Sequence, residues 1–481
     1  MLRTVSDQPT LWESVIPECL MGLPGDLAEI DAFLDDVRFF EPFRPFFDPV
    51  VGRPSIPMET YLRMMFLKYR YRLGFEPLCR EVADSLAWRR FCRVPLGTTV
   101  PHPTTLMKIT SRCGEKAIDG LNEALLAKAH GDKLLRLDKV RADTTVVEAN
   151  VAYPTDSGLL AKGVAKLARL TKAIKAAGLA SRTKARDRTR SVRRRAHSIG
   201  AWLRRRNDEA KAEVRLITAE TAAIADRAVA DARHVAANAA RTLRSAKHQA
   251  RGRTLALLVE LERTADLVEQ VAAQTRVRVA GGVPDGATRV VSLHDPDARP
   301  IAKGRLGRPV EFGYKAQVVD NRDGVVLDHT VEKGNPPDAP GLVPAVARIK
   351  ARFGRAPRAV AADRGYGEAA VDAGLESLGV KHVVIPRKGR PGAARQTVER
   401  SRSFRHLVKW RTGSEARISC LKRDYGWSRT LTDTEAGART WCGWGVLAHN
   451  ATKVAALTAA QRQRQRAGPP DRGRQRQAGA A

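Results

Sequence analysis

Asp143 lies in the middle of an alternating, Val- and Thr-rich run over 139–149, and Asp363 ends the short apolar run 359–362. A charge at the rim of a sheet loses solvation unless something compensates it. Asp363 admits two compensations. It can accept hydrogen bonds from the amides of the turn that follows, Arg364, Gly365, Tyr366 and Gly367, as Asp commonly does. Alternatively it is a metal ligand, aimed at the crevice beyond its strand's carboxyl end, where open α/β sheets place their sites. If the strands of Asp143 and Asp363 are neighbours, two carboxylates converge on one point. Two Mg²⁺ ions about 3.5–4 Å apart need such a cluster of hard oxygen ligands. Glu415 is the best-placed third carboxylate. With Ile418 and Lys422 it forms one stripe of a helix, so Lys422 reaches a phosphate near metals held by Glu415. Thr412-Gly-Ser-Glu415 also matches a capping box, in which the Glu only caps the helix. Asp338 and Glu148 are secondary candidates, better read as solvated or capping residues.

These residues need strands to hold them. The run 139–149 reads as one strand, and 288–295, 310–321 and 324–335 as an antiparallel meander with Asn321-Arg-Asp-Gly324 as its tight turn. Helix, strand, helix and strand follow from 338 to 389, and then two more helices. The sum is a mixed α/β sheet covered by helices. Ahead of it, 55–112 reads as a compact trio of helices, opened by Ser55 as N-cap. The third carries Lys108 and Arg112 four residues apart on one exposed face. Such a trio is either a helix-turn-helix that docks on DNA or a plain bundle.

From 158 to about 280 the pattern is helical and rich in Ala, Arg and Lys. Between 161 and 206 there are 16 Lys or Arg and one acidic residue, Asp187; Arg193, Arg194 and Arg195 stand at its centre. Like charges repel, so a one-sided run of this kind calls for a polyanion. The second half is charge-balanced and reads as a solvated helical hairpin or coiled coil. Over the whole chain of 481 residues the net charge is +32, which suits nucleic acid. No stretch of about 18 apolar residues is present to span a bilayer. The first residues lack a secretory pattern, and six scattered cysteines without a CxxC pair fit a reducing cytosol.

Taken together, RADTTVVEANVAYPTDSGLL, EFGYKAQVVDNRDGVVLDHTVEKGNPPD, AVAADRGYGEAAV and KWRTGSEARISCLKRDYGWSR resemble the bacterial insertion-sequence transposases of the two-aspartate-plus-glutamate (DDE) type. PMETYLRMMFLKYRY and VPHPTTLMKITSRCG resemble the helical domain that precedes their catalytic domain. The resemblance implies a ribonuclease-H-like fold with Asp143, Asp363 and Glu415 as catalytic and metal-binding triad for two Mg²⁺ ions, or Mn²⁺ in their place. It also implies a tyrosine–arginine–glutamate–lysine helix motif, matched by Arg411, Glu415 and Lys422. Val408 occupies the tyrosine position, with Trp410 or Tyr425 as substitutes. Asp143 and Asp363 are 220 residues apart, long for the family, whereas Asp363 and Glu415 are 52 apart; the helical insertion accounts for the excess.

The expected organisation is an N-terminal helical unit over 1–125, catalytic parts over 126–157 and 284–457, a basic helical insertion over 158–283, and a disordered basic tail from 458. The expected activity is metal-dependent cleavage and strand transfer of DNA. The partners are the element's terminal inverted repeats and target DNA, bound by a homodimer in the cytoplasm at the nucleoid, with no membrane role. Arg411 and Lys422 position phosphates, while Lys108, Arg112 and Arg193–Arg195 hold DNA by charge. The rivals are an inactive DNA-binding derivative of a transposase and a nuclease without strand transfer.

Overall fold

In the computed structural model, residues 1–4, 17, 22–205, 207–245, 251–303, 307 and 309–466 are described. Among the described residues before the sheet are the α-helices α1 (Gly25–Leu34), α2 (Met58–Arg70), α3 (Phe75–Asp84), α4 (Leu86–Phe91) and α5 (Pro103–Gly131). Helix α2 is buried on nearly every side, its charged residues included. Arg63 Nε donates to Asp31 at 2.8 Å. The Lys68 ammonium lies over the rings of Tyr69, Phe75 and Trp441, 4.4, 4.8 and 4.4 Å from their centroids. Burial lowers its pKa to about 8. Pro57 rather than Ser55 precedes α2, and the Ser55 hydroxyl accepts from the Arg3 amide instead. Helix α5 is far longer than its sequence suggested and runs past 125. Gly114 adopts a positive φ of 53° there and kinks the helix without ending it.

The sheet has six strands: β1 (Lys139–Glu148), β2 (Arg299–Ala302), β3 (Val310–Asn321), β4 (Val326–Lys333), β5 (Ala359–Ala361) and β6 (His382–Val384). Its order is β2-β3-β1-β5-β6, with β4 also on β3. Strands β2, β3, β4 and β1 pair antiparallel, whereas β1–β5 and β5–β6 are parallel. The strand expected at 288–295 is absent. Both backbone groups of Val290 are taken by the Gln274 side chain, at 3.0 and 3.1 Å, so they cannot join a ladder. The short β2 follows it.

Helices α6 (Asp156–Ala176), α7 (Thr189–Trp202), α8 (Asp208–Ser245) and α9 (Arg251–Val279) form a bundle between β1 and β2. It has a hydrophobic core of its own, including Leu160, Val164, Val235, Leu261 and Val268. The N-terminal helices share a different core with the sheet.

After β4 come α10 (Ala339–Phe353), α11 (Ala369–Ser377), α12 (Ala393–Arg400), α13 (Arg402–Arg411), α14 (Gly413–Asp424) and α15 (Glu435–Arg466). Asn450 docks α15 on β4, its amide bonded to both backbone groups of Val326 at 2.9 and 2.8 Å. Helix α15 also packs on α1, α2 and α5, so the N-terminal helices are fastened to the sheet. The tail expected to be disordered from 458 is helical to Arg466; 467–481 lie outside the described residues.

Candidate active site

Register brings the two aspartates together. Strands β1 and β5 run parallel, with Arg141 opposite Ala361. Asp143 and Asp363 are each two residues further on, so they project from the same face of neighbouring chains. Burial pushes the Asp143 carboxyl above its usual pKa, and the Asp363 charge adds to this. Hydrogen bonds oppose the shift: Asp143 Oδ2 accepts from Ser414 Oγ and Oδ1 from the Thr144 amide, both at 2.8 Å. Arg411 Nη1 stands 3.6 Å from Oδ2. Asp363 takes the turn role as well, since its Oδ1 accepts from the Gly365 amide at 2.8 Å.

A third carboxylate stands beside them. A Cβ on Gly365 would lie 2.9 Å from Asp363 Oδ1 and 3.2 Å from Asp338 Oδ2. Asp338, read from the sequence as solvated or capping, therefore faces Asp363; its other oxygen meets Lys315 Nζ at 2.6 Å. Tyr366 is fully buried nearby. Burial first, then the charges of Asp338, Asp143 and Asp363, hold its hydroxyl well above its usual pKa. Glu148 is elsewhere, 3.3 Å from Arg429. Gly367 serves the fold, because a Cβ there would meet Pro386 O at 2.0 Å.

Glu415 lies in the first turn of α14 and is exposed. The neighbouring Ser414 is the residue that meets Asp143. Among the described residues no group of three or more His, Cys, Asp or Glu side chains is disposed to hold a metal ion. The capping box does not form either. Thr412 makes no side-chain cap, and its hydroxyl donates to Lys409 O at 2.8 Å. Two other glutamates are paired with arginines, Glu399 with Arg395 at 3.0 Å and Glu435 with Arg439 at 2.7 Å.

A buried charge network seats α14 on the sheet. Arg141 makes a two-pronged pair with Asp320, both contacts 2.9 Å, and Arg417 Nε joins Asp320 at 3.3 Å. Arg141 Nη1 also donates to Trp410 O at 3.0 Å. A Cβ on Gly413 would come within 2.2 Å of that nitrogen, so a larger residue at the start of α14 would push Arg141 out of its place. Neither proposed stand-in for the missing tyrosine is free. Lys139 and Arg141 lie over the Trp410 ring at 4.5 and 4.9 Å, and Tyr425 is buried edge-on to His449. Val408 packs with Ala361, Val384 and Phe404.

The basic residues divide. Arg193 and Arg194 are exposed on α7, as are Lys108 and Arg112 on α5. Arg195 is tied inside the bundle to Glu220 and Ser191, at 2.8 and 2.9 Å. Lys422 is half-buried on α14. Ser414 carried no local sequence signal as a site residue, and Asp338 ranked only as a secondary candidate; the fold brings both in.

Two segments of the chain match known families. Residues 21–112 match the family described as "Transposase domain (DUF772)", and 285–451 match the "Transposase DDE domain". The two matched segments leave out the helical bundle. A protein of Rhizobium meliloti described as "Uncharacterized protein ORF8 in nfe locus" is 28% identical over 145 residues, covering 28% of this chain and 67% of that protein. No solved structure matches the chain. Among the described residues no helix is long and apolar enough to cross a membrane. With both matched segments characteristic of transposases and in the expected order, the chain belongs to the insertion-sequence transposases of the DDE class.

Proposed function

We propose that Asp143 and Asp363 form the catalytic heart of a ribonuclease-H-like domain that cuts and joins DNA at insertion-sequence ends, with Glu415 as third ligand. The single observation carrying this is the parallel register of β1 and β5, which sets both aspartates two residues beyond paired positions. The sheet order, with β1 between antiparallel β3 and parallel β5, supports the fold reading. Paired hard oxygens, one of them raised in pKa by burial and by its neighbour's charge, fit a divalent cation such as Mg²⁺ or Mn²⁺. When bound, such ions activate a hydroxyl nucleophile and offset charge on the scissile phosphate.

The protein's own groups do the rest. Ser414 and the Thr144 amide fix the Asp143 carboxylate in one orientation. Arg411, beside that carboxylate, and Lys422, two turns along α14, position phosphates. Arg193 and Arg194 hold element ends and target DNA by charge, and the enzyme acts as a homodimer at the nucleoid. The 158–283 segment is an insertion into the catalytic domain, and 1–125 is the DNA-binding helical unit.

The proximity of Asp338 to Asp363 favours a second reading, in which Asp338 is the third ligand. Cleavage of end DNA in Mg²⁺ separates the two. Glu415→Gln abolishes cleavage on the first reading and Asp338→Asn leaves most of it; the second reading reverses that pattern.

A further inference from the structure

Helix α5 changes character at its Gly114 kink. Beyond the kink its acids pair with neighbouring helices: Glu115 meets Arg439 at 3.1 Å, and Glu123 pairs with Arg352. Before it, Thr104, Met107, Lys108, Ser111 and Arg112 are all exposed. They fall at i, i+3, i+4, i+7 and i+8, one stripe along the helix. Leu106, Ile109 and Cys113 bury the opposite face. The stripe mixes two hydroxyls, a thioether and two cations; of these Thr104 Oγ1 meets the N-cap His102 Nδ1 at 2.8 Å. Among the described residues Lys108 makes no ion pair, and Arg112 lies over the Phe47 ring at 5.3 Å.

The stripe borders a cleft of about 1970 Å³ that is lined by cations and, among the described residues, by no carboxylate. Two of those cations are committed to the fold. Arg93 meets Asp35 at 3.2 Å. Arg89 grips the loop that leads into α5, donating to the carbonyls of Pro95, Leu96 and Thr98 at 3.1, 3.3 and 2.5 Å. That grip sets the attitude of the helix, and the packing of α5 on α15 ties it to the sheet. Arg3, Arg53 and Arg80 line the cleft along with Lys108 and Arg112.

We infer that the 103–113 half of α5 reads base edges in the major groove of double-stranded DNA, while the cleft's arginines take the adjoining phosphates. An α-helix fits that groove. Arg and Lys pair with guanine edges there, and apolar groups meet the thymine methyl. The exposed arginines of α7 have no such mixed stripe around them and serve phosphates only. The inference rests on the proposed function for the identity of the DNA as element ends.

Selection from a pool of randomised duplexes by the full chain, in EDTA so that no cleavage intervenes, is the test. The parent enriches one sequence motif. The Lys108→Ala/Arg112→Ala variant loses that motif, and its affinity for the selected duplex falls roughly ten- to a hundredfold, while scrambled duplex is held nearly as before. Met107→Ala relaxes the motif at one position. No motif from the parent, the same motif from the double variant, or equal loss on selected and scrambled duplexes would each overturn the inference. Because binding alone is read, absence of metal-dependent cutting would sink the catalytic proposal and leave this one standing.

Discussion

The sheet and the helical bundle handle charge in opposite ways. Around the sheet, buried charges are matched: Arg141 pairs with Asp320, and the buried Asp328 carboxylate with Arg348. On α7, Arg190, Arg193 and Arg194 stand exposed in a stretch with almost no acid. Buried pairs are a weak source of stability, since desolvation offsets their attraction, but they fix where things sit. Here they fix α14 over β1. Exposed like charges instead cost stability until a polyanion arrives. One region holds geometry, the other holds DNA on the reading proposed above, and each has its own hydrophobic core.

The largest expected effect on stability breaks the first half of that contrast. Asp320→Ala leaves Arg141 and Arg417 without their shared buried carboxylate, and should cost about 3–5 kcal/mol. Urea unfolding measures it; a loss below about 1 kcal/mol would mean the network does not seat α14. Next, replacing 158–283 by a short Gly/Ser linker should leave the sheet domain folded, because the two cores are separate. It should also weaken binding to end DNA and flatten its salt dependence. Unchanged affinity would reduce the bundle to a solvated or dimerising element.

A smaller effect depends on pH. Burial, with Arg417 adding to it, lowers the His449 pKa from 6.5 to about 3. A histidine depressed in the folded state binds fewer protons there than in the unfolded chain. Its contribution is therefore complete above pH 6.5 and is lost as pH falls toward 3. Near pH 5 the loss is roughly 2 kcal/mol. His329, lowered to about 4 mainly by burial, acts with the same sign. His449→Gln should show a shallower fall in stability between neutral and mildly acid pH. The smallest effect belongs to the exposed stripe. Arg193→Ala/Arg194→Ala should leave stability untouched and reduce the salt slope of DNA binding by about two.

The sequence made the long strands legible because alternation survives where one face is buried, as in β1, β3 and β4. The two aspartates were legible for a related reason, as charges at the middle and end of apolar runs. Other features depend on contacts far along the chain. No local pattern tells that Gln274 occupies the backbone of Val290, or that Gly114 kinks α5 rather than ending it. Trp410 reads locally as a spare aromatic, yet Lys139 and Arg141 claim its ring. Helix phase placed Glu415 over the site. The start of α14, packed by Gly413 against Arg141, brings Ser414 to Asp143, which helix phase did not foretell. Asp338 stood only as a secondary candidate because it is the packing of α10 on the Arg364–Tyr366 turn that brings it toward Asp363.

Cleavage of labelled end DNA by Asp363→Asn tests the catalytic role most directly. The substitution keeps side-chain size and the turn hydrogen bond from Gly365 but removes the charge that would hold a divalent cation. End DNA should be bound as tightly as by the parent, since binding rests on distant Lys and Arg side chains. Cleavage in Mg²⁺, with EDTA as control, should fall by orders of magnitude. Equal cutting by parent and variant would show that Asp363 is a turn-capping residue and nothing more.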